Sequence, residues 1–156
     1  MSKGHDSSTD TGALPFAVTL HVRDHCLCLH LQRAARAVAR KFDEALRPFG
    51  LTNGQFSLLM SLNRPQPPLM RDVADLLAMD RTTLTAMLKP LARRGLLEIA
   101  PDEKDRRGRR LILKPEGRAL LSRAMPAWTD THAAVEALLP ADGEPDRLRS
   151  ELRAIS

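Results

Sequence analysis

Tyrosine is absent from this chain, and aromatic residues make up only 3% of it. Its core must therefore be built from leucine, alanine, valine and methionine, a palette that suits helices more than sheets. The only two cysteines, Cys26 and Cys28, stand a single residue apart, which excludes a disulfide framework. No apolar run reaches the roughly 18 residues that a membrane-spanning helix needs. No basic segment followed by an apolar stretch opens the sequence, so no secretory signal is expected and a cytoplasmic protein is. A glycine-rich phosphate loop, a nucleophile elbow and a zinc-protease helix are also missing. An enzyme is accordingly not expected, and no cofactor is implied. The 156 residues suffice for one domain with a real core, or for a smaller lobe whose extra helices need a partner.

What the chain does contain is centred on residues 69–113. Val73, Ala74 and Leu77 share a face in the segment Leu69 to Leu77, and Leu84, Leu88 and Leu91 share one in the segment Arg81 to Arg94. The tight turn Ala78-Met79-Asp80 joins them, giving two short helices in a helix-turn-helix pattern. Asp80 is placed to cap the second helix and Gly95 to close it. Pro90 breaks a rule inside that helix and is expected to bend its last turn. The helix face left over after packing carries Arg81, Thr82, Thr83, Thr85 and Lys89. Hydroxyls and cations at a helix N-terminus suit phosphate and base-edge contacts in a major groove.

Two short apolar strands follow, Leu96 to Ile99 and Leu111 to Leu113, flanking the polar hairpin Ala100 to Arg110. Its tip holds Arg106, Arg107, Arg109 and Arg110, four arginines in five residues. A strand pair with a basic tip, directly after a helix-turn-helix, reads as a wing, and arginine gains most in the narrow minor groove. Residues 81–110 carry nine Lys/Arg against four Asp/Glu, a net of +5, and the whole chain is also +5 (24 minus 19), so the remainder balances at 15 and 15. A charge run alone is usually a solvated face. Beside a helix-turn-helix, the concentration of the entire excess here points to double-stranded DNA as the partner.

Elsewhere, residues 1–12 lack periodicity and read as a disordered tail. From Asp24, apolar positions including Leu27, Leu31, Val38, Phe42 and Leu46 predict one helix of about two dozen residues, stopped at Pro48 and Gly50. Such a helix is too long for a wing lobe alone and implies a second subunit. Thr52 and Gln55 form a capping box, with Leu51 able to staple onto Phe56. Pro65-Gln66-Pro67-Pro68 makes a stiff connector into the helix pair. After the wing, Pro115 opens a helix through Trp128 to Leu139, bent at Pro126, and Arg147 to Ile155 forms a last amphipathic stretch. The expected fold class is mainly α with a small β-wing. A winged helix-turn-helix DNA-binding domain over 51–114 is expected between an N-terminal dimerisation helix region (13–50) and C-terminal dimerisation helices (115–156). Two-fold symmetry then predicts a palindromic operator, with half-sites about one helical turn apart.

The order Leu51-Thr52, helix-turn-helix, Arg93-Arg94-Gly95-Leu96, Asp102 to Arg110 and Leu113-Lys114-Pro115-Glu116-Gly117 resembles the multiple-antibiotic-resistance regulator (MarR) family, over about residues 24–140. The most specific piece is Asp105-Arg106-Arg107 followed by a strand and a helix that opens x-x-Gly. The resemblance implies that Arg107 is the wing-tip reader and Asp105 its brace. It also implies an obligate homodimer, usually a transcriptional repressor, that releases its operator when a small molecule, metal or oxidant acts. An architectural DNA-binding protein without a sensor is the alternative.

Residues 21–30 hold both cysteines and three of the five histidines. One reading makes them half-buried residues of a subunit interface. A second makes Cys28, with Cys26, an oxidant sensor: the resemblance places Cys28 at the reactive cysteine of the organic-hydroperoxide branch. That branch activates its thiolate with tyrosines, whereas here Gln32 occupies such a position and activation would rest on His25. A third places His21, His25 and Cys28 on one helical face as ligands for zinc or copper, although the spacing matches no recognised site and no metal is expected. A fourth takes His30, Arg33 and Trp128 as liners of a small-molecule effector site, because the resemblance implies a ligand cleft between the first helix and the winged lobe.

Overall fold

The computed structural model describes residues 12–105 and 107–156. The proposed tail (1–12) thus lies almost wholly outside the described residues, as does Arg106. Two compact units divide the chain between Ala37 and Val38.

In the first unit, α1 (Phe16–His25) buries none of its residues. The backbone leaves the helix at Cys26, whose ψ is 103°, and re-enters it as α2 (Leu27–Leu46). The helix expected from Asp24 is therefore α2, begun three residues later, and α1 precedes it as a separate helix. The cause is local: Cys26 acts as a cap, its Sγ accepting from the amide of Leu29 at 3.4 Å and satisfying a first-turn donor that would otherwise lack a partner.

The second unit takes in the last residues of α2, with Phe42 and Leu46 buried, and a 3-10 turn Arg47–Phe49 that ends at Gly50. At this turn the Leu51 amide reaches back to the Leu46 carbonyl and that of Gly50 to Arg47, which the left-handed φ of 65° at Gly50 permits. Next comes α3 (Asn53–Ser61), opened by the full Thr52–Gln55 capping box and by Asp43, which accepts from the Asn53 amide at 2.7 Å. Leu51 and Phe56 are both buried in one core.

The helix pair is α4 (Met70–Leu76) and α5 (Arg81–Arg93). Leu84, Leu88 and Leu91 are wholly buried, as their spacing requires, and α5 continues through Pro90 to Arg93. Gly95 then adopts φ 69°, with the Leu96 amide on the Leu91 carbonyl. Strands β1 (Leu97–Pro101) and β2 (Arg109–Leu113) pair antiparallel, Leu97 opposite Leu113 and Pro101 opposite Arg109. Pairing thus runs further out than expected, and the loop shrinks to 102–108. The connector closes the other edge of β2: Leu111 donates to the Pro68 carbonyl at 3.0 Å, and Leu69 bridges to Arg110. Then α6 (Pro115–Glu136) packs on α3 and on the 3-10 turn, and α7 (Pro145–Arg153) ends the described chain.

Of the buried apolar residues, all but Phe42, Phe56, Val73 and Ala124 are leucine, in keeping with the scarcity of aromatics. The fold is mainly α with a small β-wing, in a winged helix-turn-helix arrangement. No helix among the described residues is long and apolar enough to cross a membrane.

Candidate nucleic-acid interface

Helix α5 starts where Asp80 stops the turn. The Asp80 carboxylate takes the Thr83 amide at 2.8 Å and the Thr83 hydroxyl at 2.6 Å. The hydroxyl first, then that amide, holds its carboxyl below the usual carboxylate range. Thr83 is thereby tied into the cap. Thr85 donates its hydroxyl to the Arg81 carbonyl at 2.7 Å, which leaves its oxygen able to accept. With the leucines turned inward, Arg81, Thr82 and Lys89 are exposed.

In the described part of the wing loop, Asp105 accepts two backbone hydrogen bonds. Asp105 Oδ1 accepts from the backbone amide of Arg107 at 3.0 Å, and the Gly108 amide binds the Asp105 carbonyl at 2.7 Å. Asp105 therefore braces Arg107 through its backbone, shaping the turn that presents the exposed side chain. Arg109 is exposed as well and reaches the Gly108 carbonyl at 3.2 Å.

Arg110 is placed differently from Arg107 and Arg109. Its side chain is 31% exposed and points into the protein, with Nε 2.6 Å from Asp102 Oδ1 and Nη1 2.7 Å from the Pro67 carbonyl. Asp102 is 6% exposed, the one charged residue buried among those described. The Arg110 guanidinium holds its carboxyl below the ordinary value, against the opposing effect of burial. Sequence reasoning grouped Arg110 with the DNA contacts and missed Asp102. The available signal was the hairpin itself: closing it antiparallel sets an acid and a base at its neck.

Between helix pair and wing runs a groove of about 460 Å³, lined by Arg71, Asp75 and Arg81 on one side and by Asp105, Arg107 and Arg109 on the other. The structure thus brings the start of α5 and the wing tip together on one surface.

The proposed sensor residues divide between the units. Cys28 is exposed, and Gln32 Nε2 donates to its Sγ at 3.3 Å. His21 and His25 stack with ring centroids 4.3 Å apart, and His25 Nδ1 donates to the His21 carbonyl at 2.9 Å. The idea of one helical face carrying His21, His25 and Cys28 fails because the break at Cys26 puts the histidines on α1 and the cysteine on α2. No three metal-ligating side chains gather among the described residues. His30 Nε2 donates to the Asp24 carbonyl at 3.2 Å, and Arg33 is exposed. Trp128, in the second unit, is half-buried between Phe42 and Phe56, with His132 edge-on at 4.7 Å. With Phe56, Met60, Leu76, Leu77 and Met125 it lines a mostly apolar cavity of about 300 Å³.

A family model described as "MarR family" matches residues 49–108. Among solved structures, the transcriptional regulator MosR of M. tuberculosis, in complex with DNA, is 36% identical, with 84% of this chain and 93% of that one covered and a TM-score of 0.75. A mutant MarR from E. coli complexed with operator DNA is 26% identical, with coverage of 87% and 97% and a TM-score of 0.75. Among curated proteins, the transcriptional activatory protein BadR of Rhodopseudomonas palustris is 32% identical over 95 residues, 59% of this chain and 54% of BadR. The match therefore spans about half the length of that relative.

Proposed function

This chain belongs to the MarR family, one of transcription regulators rather than enzymes, and from that premise we propose that it regulates transcription by binding double-stranded DNA. The observation that carries the reading is the shared groove: Arg81 at the head of α5 and Arg107 on the wing line one surface, inside the segment that holds the whole positive excess. Helix α5 enters a major groove with Arg81, Thr82, Thr85 and Lys89 toward phosphates and base edges. Arg107, with Arg106 and Arg109, takes the adjacent minor groove. Thr83 serves the helix cap and Arg110 the wing's base.

The working unit is a homodimer on a palindromic operator. Supporting this, α1 leaves Phe16, Val18 and Val22 exposed, and the C-terminal segment does the same with Leu148, Leu152 and Ile155. Sedimentation should give twice the chain mass. Titrating a promoter fragment that carries a palindrome against random duplex, at several salt concentrations, tests the main reading. Equal affinity for both would favour an architectural protein instead. Bound over a promoter, the dimer acts as a repressor, and a reporter fusion read with and without the protein gives the sign.

Release by an oxidant is a second reading with its own observation. Tyrosines are lacking, yet Cys28 Sγ does receive a side-chain donor, from Gln32. Under this reading Cys28→Ser abolishes peroxide-driven release of DNA, and release that persists in the variant removes Cys28 as the sensor. A small aromatic effector in the Trp128 cavity is the other route to release.

A further inference from the structure

Resting on the DNA-binding reading, we propose that Asp102 and Arg110 form a latch that sets the wing at its working distance from α5, making both positioning residues for the reading by Arg107. The pair ties three segments at one point. Asp102 stands at the neck of the hairpin, where its amide also donates to the Gly108 carbonyl at 3.1 Å. Arg110 belongs to β2, and the Pro67 carbonyl that takes its second donor belongs to the connector leading into α4.

A guanidinium spans two acceptors in a fixed plane, so the link fixes an angle as well as a distance. Packing tightens the same point: a Cβ added at Gly108 would meet Asp102 Cβ at 3.1 Å and Leu69 Cδ2 at 3.5 Å. Asp102 and Leu69 also line the groove whose two walls carry Arg81 and Arg107. An angular error at the neck is carried along the loop to Arg107, while the hydrophobic core below stays unchanged.

The sign of one substitution separates positioning from plain electrostatics. Asp102→Asn removes a negative charge beside the DNA-facing groove, and charge alone predicts tighter binding. The latch predicts weaker binding, by about tenfold or more, because Arg110 loses its anchor and the wing loosens. In an Arg107→Ala background the same substitution should cost less than about threefold, since the reader being positioned is already gone. Amide exchange at Gly108 and Leu111 should quicken in Asp102→Asn by at least about tenfold without DNA, while amides of α5 keep their rates.

The unsubstituted protein is titrated first with the palindromic and random duplexes. Failure to bind any duplex overturns the functional reading and the proposal with it. Normal binding there, combined with equal or tighter binding by Asp102→Asn, or with additive effects of Asp102→Asn and Arg107→Ala, overturns the proposal alone. Should Asp102→Asn not fold, Arg110→Lys is read in the same cycle, because it keeps the charge but cannot span both acceptors.

Discussion

Gly117, in the first turn of α6, lies directly against the backbone carbonyl of Leu96. A Cβ at this position would collide with that oxygen and stand 2.7 Å from Leu113 Cδ1. The amide of Lys114 donates to the same carbonyl at 3.0 Å, so the end of the wing and the start of α6 share one tight junction. Neither backbone segment can retreat without losing a hydrogen bond. Gly117→Ala should cost about 1–3 kcal/mol, read as a lower denaturant midpoint at unchanged slope. Full stability in that variant would show that the junction yields freely.

The turn between α4 and α5 has the opposite defect. Ala78 sits at φ 49°, the one described non-glycine residue with positive φ, so that the Met79 amide can reach the Ala74 carbonyl at 2.9 Å. A Cβ is a burden in the left-handed region. Ala78→Gly should raise stability by about 0.5–1 kcal/mol, and thermal unfolding checks it.

At the wing tip, Arg107→Ala should weaken operator binding and lower the slope of log affinity against log salt by about one unit per wing. Thr83→Ala should instead act mainly on stability, by loosening the Asp80 cap. Affinity that is unchanged for Arg107→Ala across several salt concentrations would move the reading head elsewhere.

Acid should act on the wing through Asp102. Its folded-state value is lowered, chiefly by Arg110, so the ionised form is favoured by folding. The resulting stability is complete above the unfolded value of about 3.9, and it is lost as pH falls through the lower folded value. Asp80 is lowered too, so the measurement is a difference. The gap in Tm between the unsubstituted protein and Asp102→Asn should hold constant from neutral pH to about 5 and close below about 4. A gap indifferent to acid would mean that the carboxylate charge is not what stabilises the neck.

Trp128 is the single tryptophan, so its emission reports on one place. Phenolic acids that fill the cavity beside Phe56 and Met125 should shift or quench that emission, and Met60→Phe, which narrows the cavity without adding a second indole, should weaken the response. A screen that changes operator affinity but leaves the emission alone would point to a different effector site.

Where the outcome depended on neighbours in the chain, it was legible beforehand. The Thr52–Gln55 box, the Asp80 cap, Gly95 and the leucines of α5 all follow from spacings of three or four residues, and each stands where expected. Cys26 was not legible as a helix break, because sulfur is an uncommon cap and the apolar period that marks α2 begins only after it. Nor was the strain at Ala78, which a non-glycine residue conceals. Arg110 faces inward because Asp102 and Pro67 meet it only after the hairpin has closed on the connector, contacts eight and 43 positions away. Composition located the positive region; register decided which of its arginines turn outward.

Pro67 and Pro68 also govern how the wing behaves in a crowd. Their carbonyls accept from Arg110 and Leu111, but neither has an amide hydrogen to offer a newcomer. On that flank an extended peptide, or the hairpin of another molecule, finds no ladder to prolong. The connector thus works as a selvedge on the β2 side: it finishes that edge of the small sheet and denies it to a growing fibre.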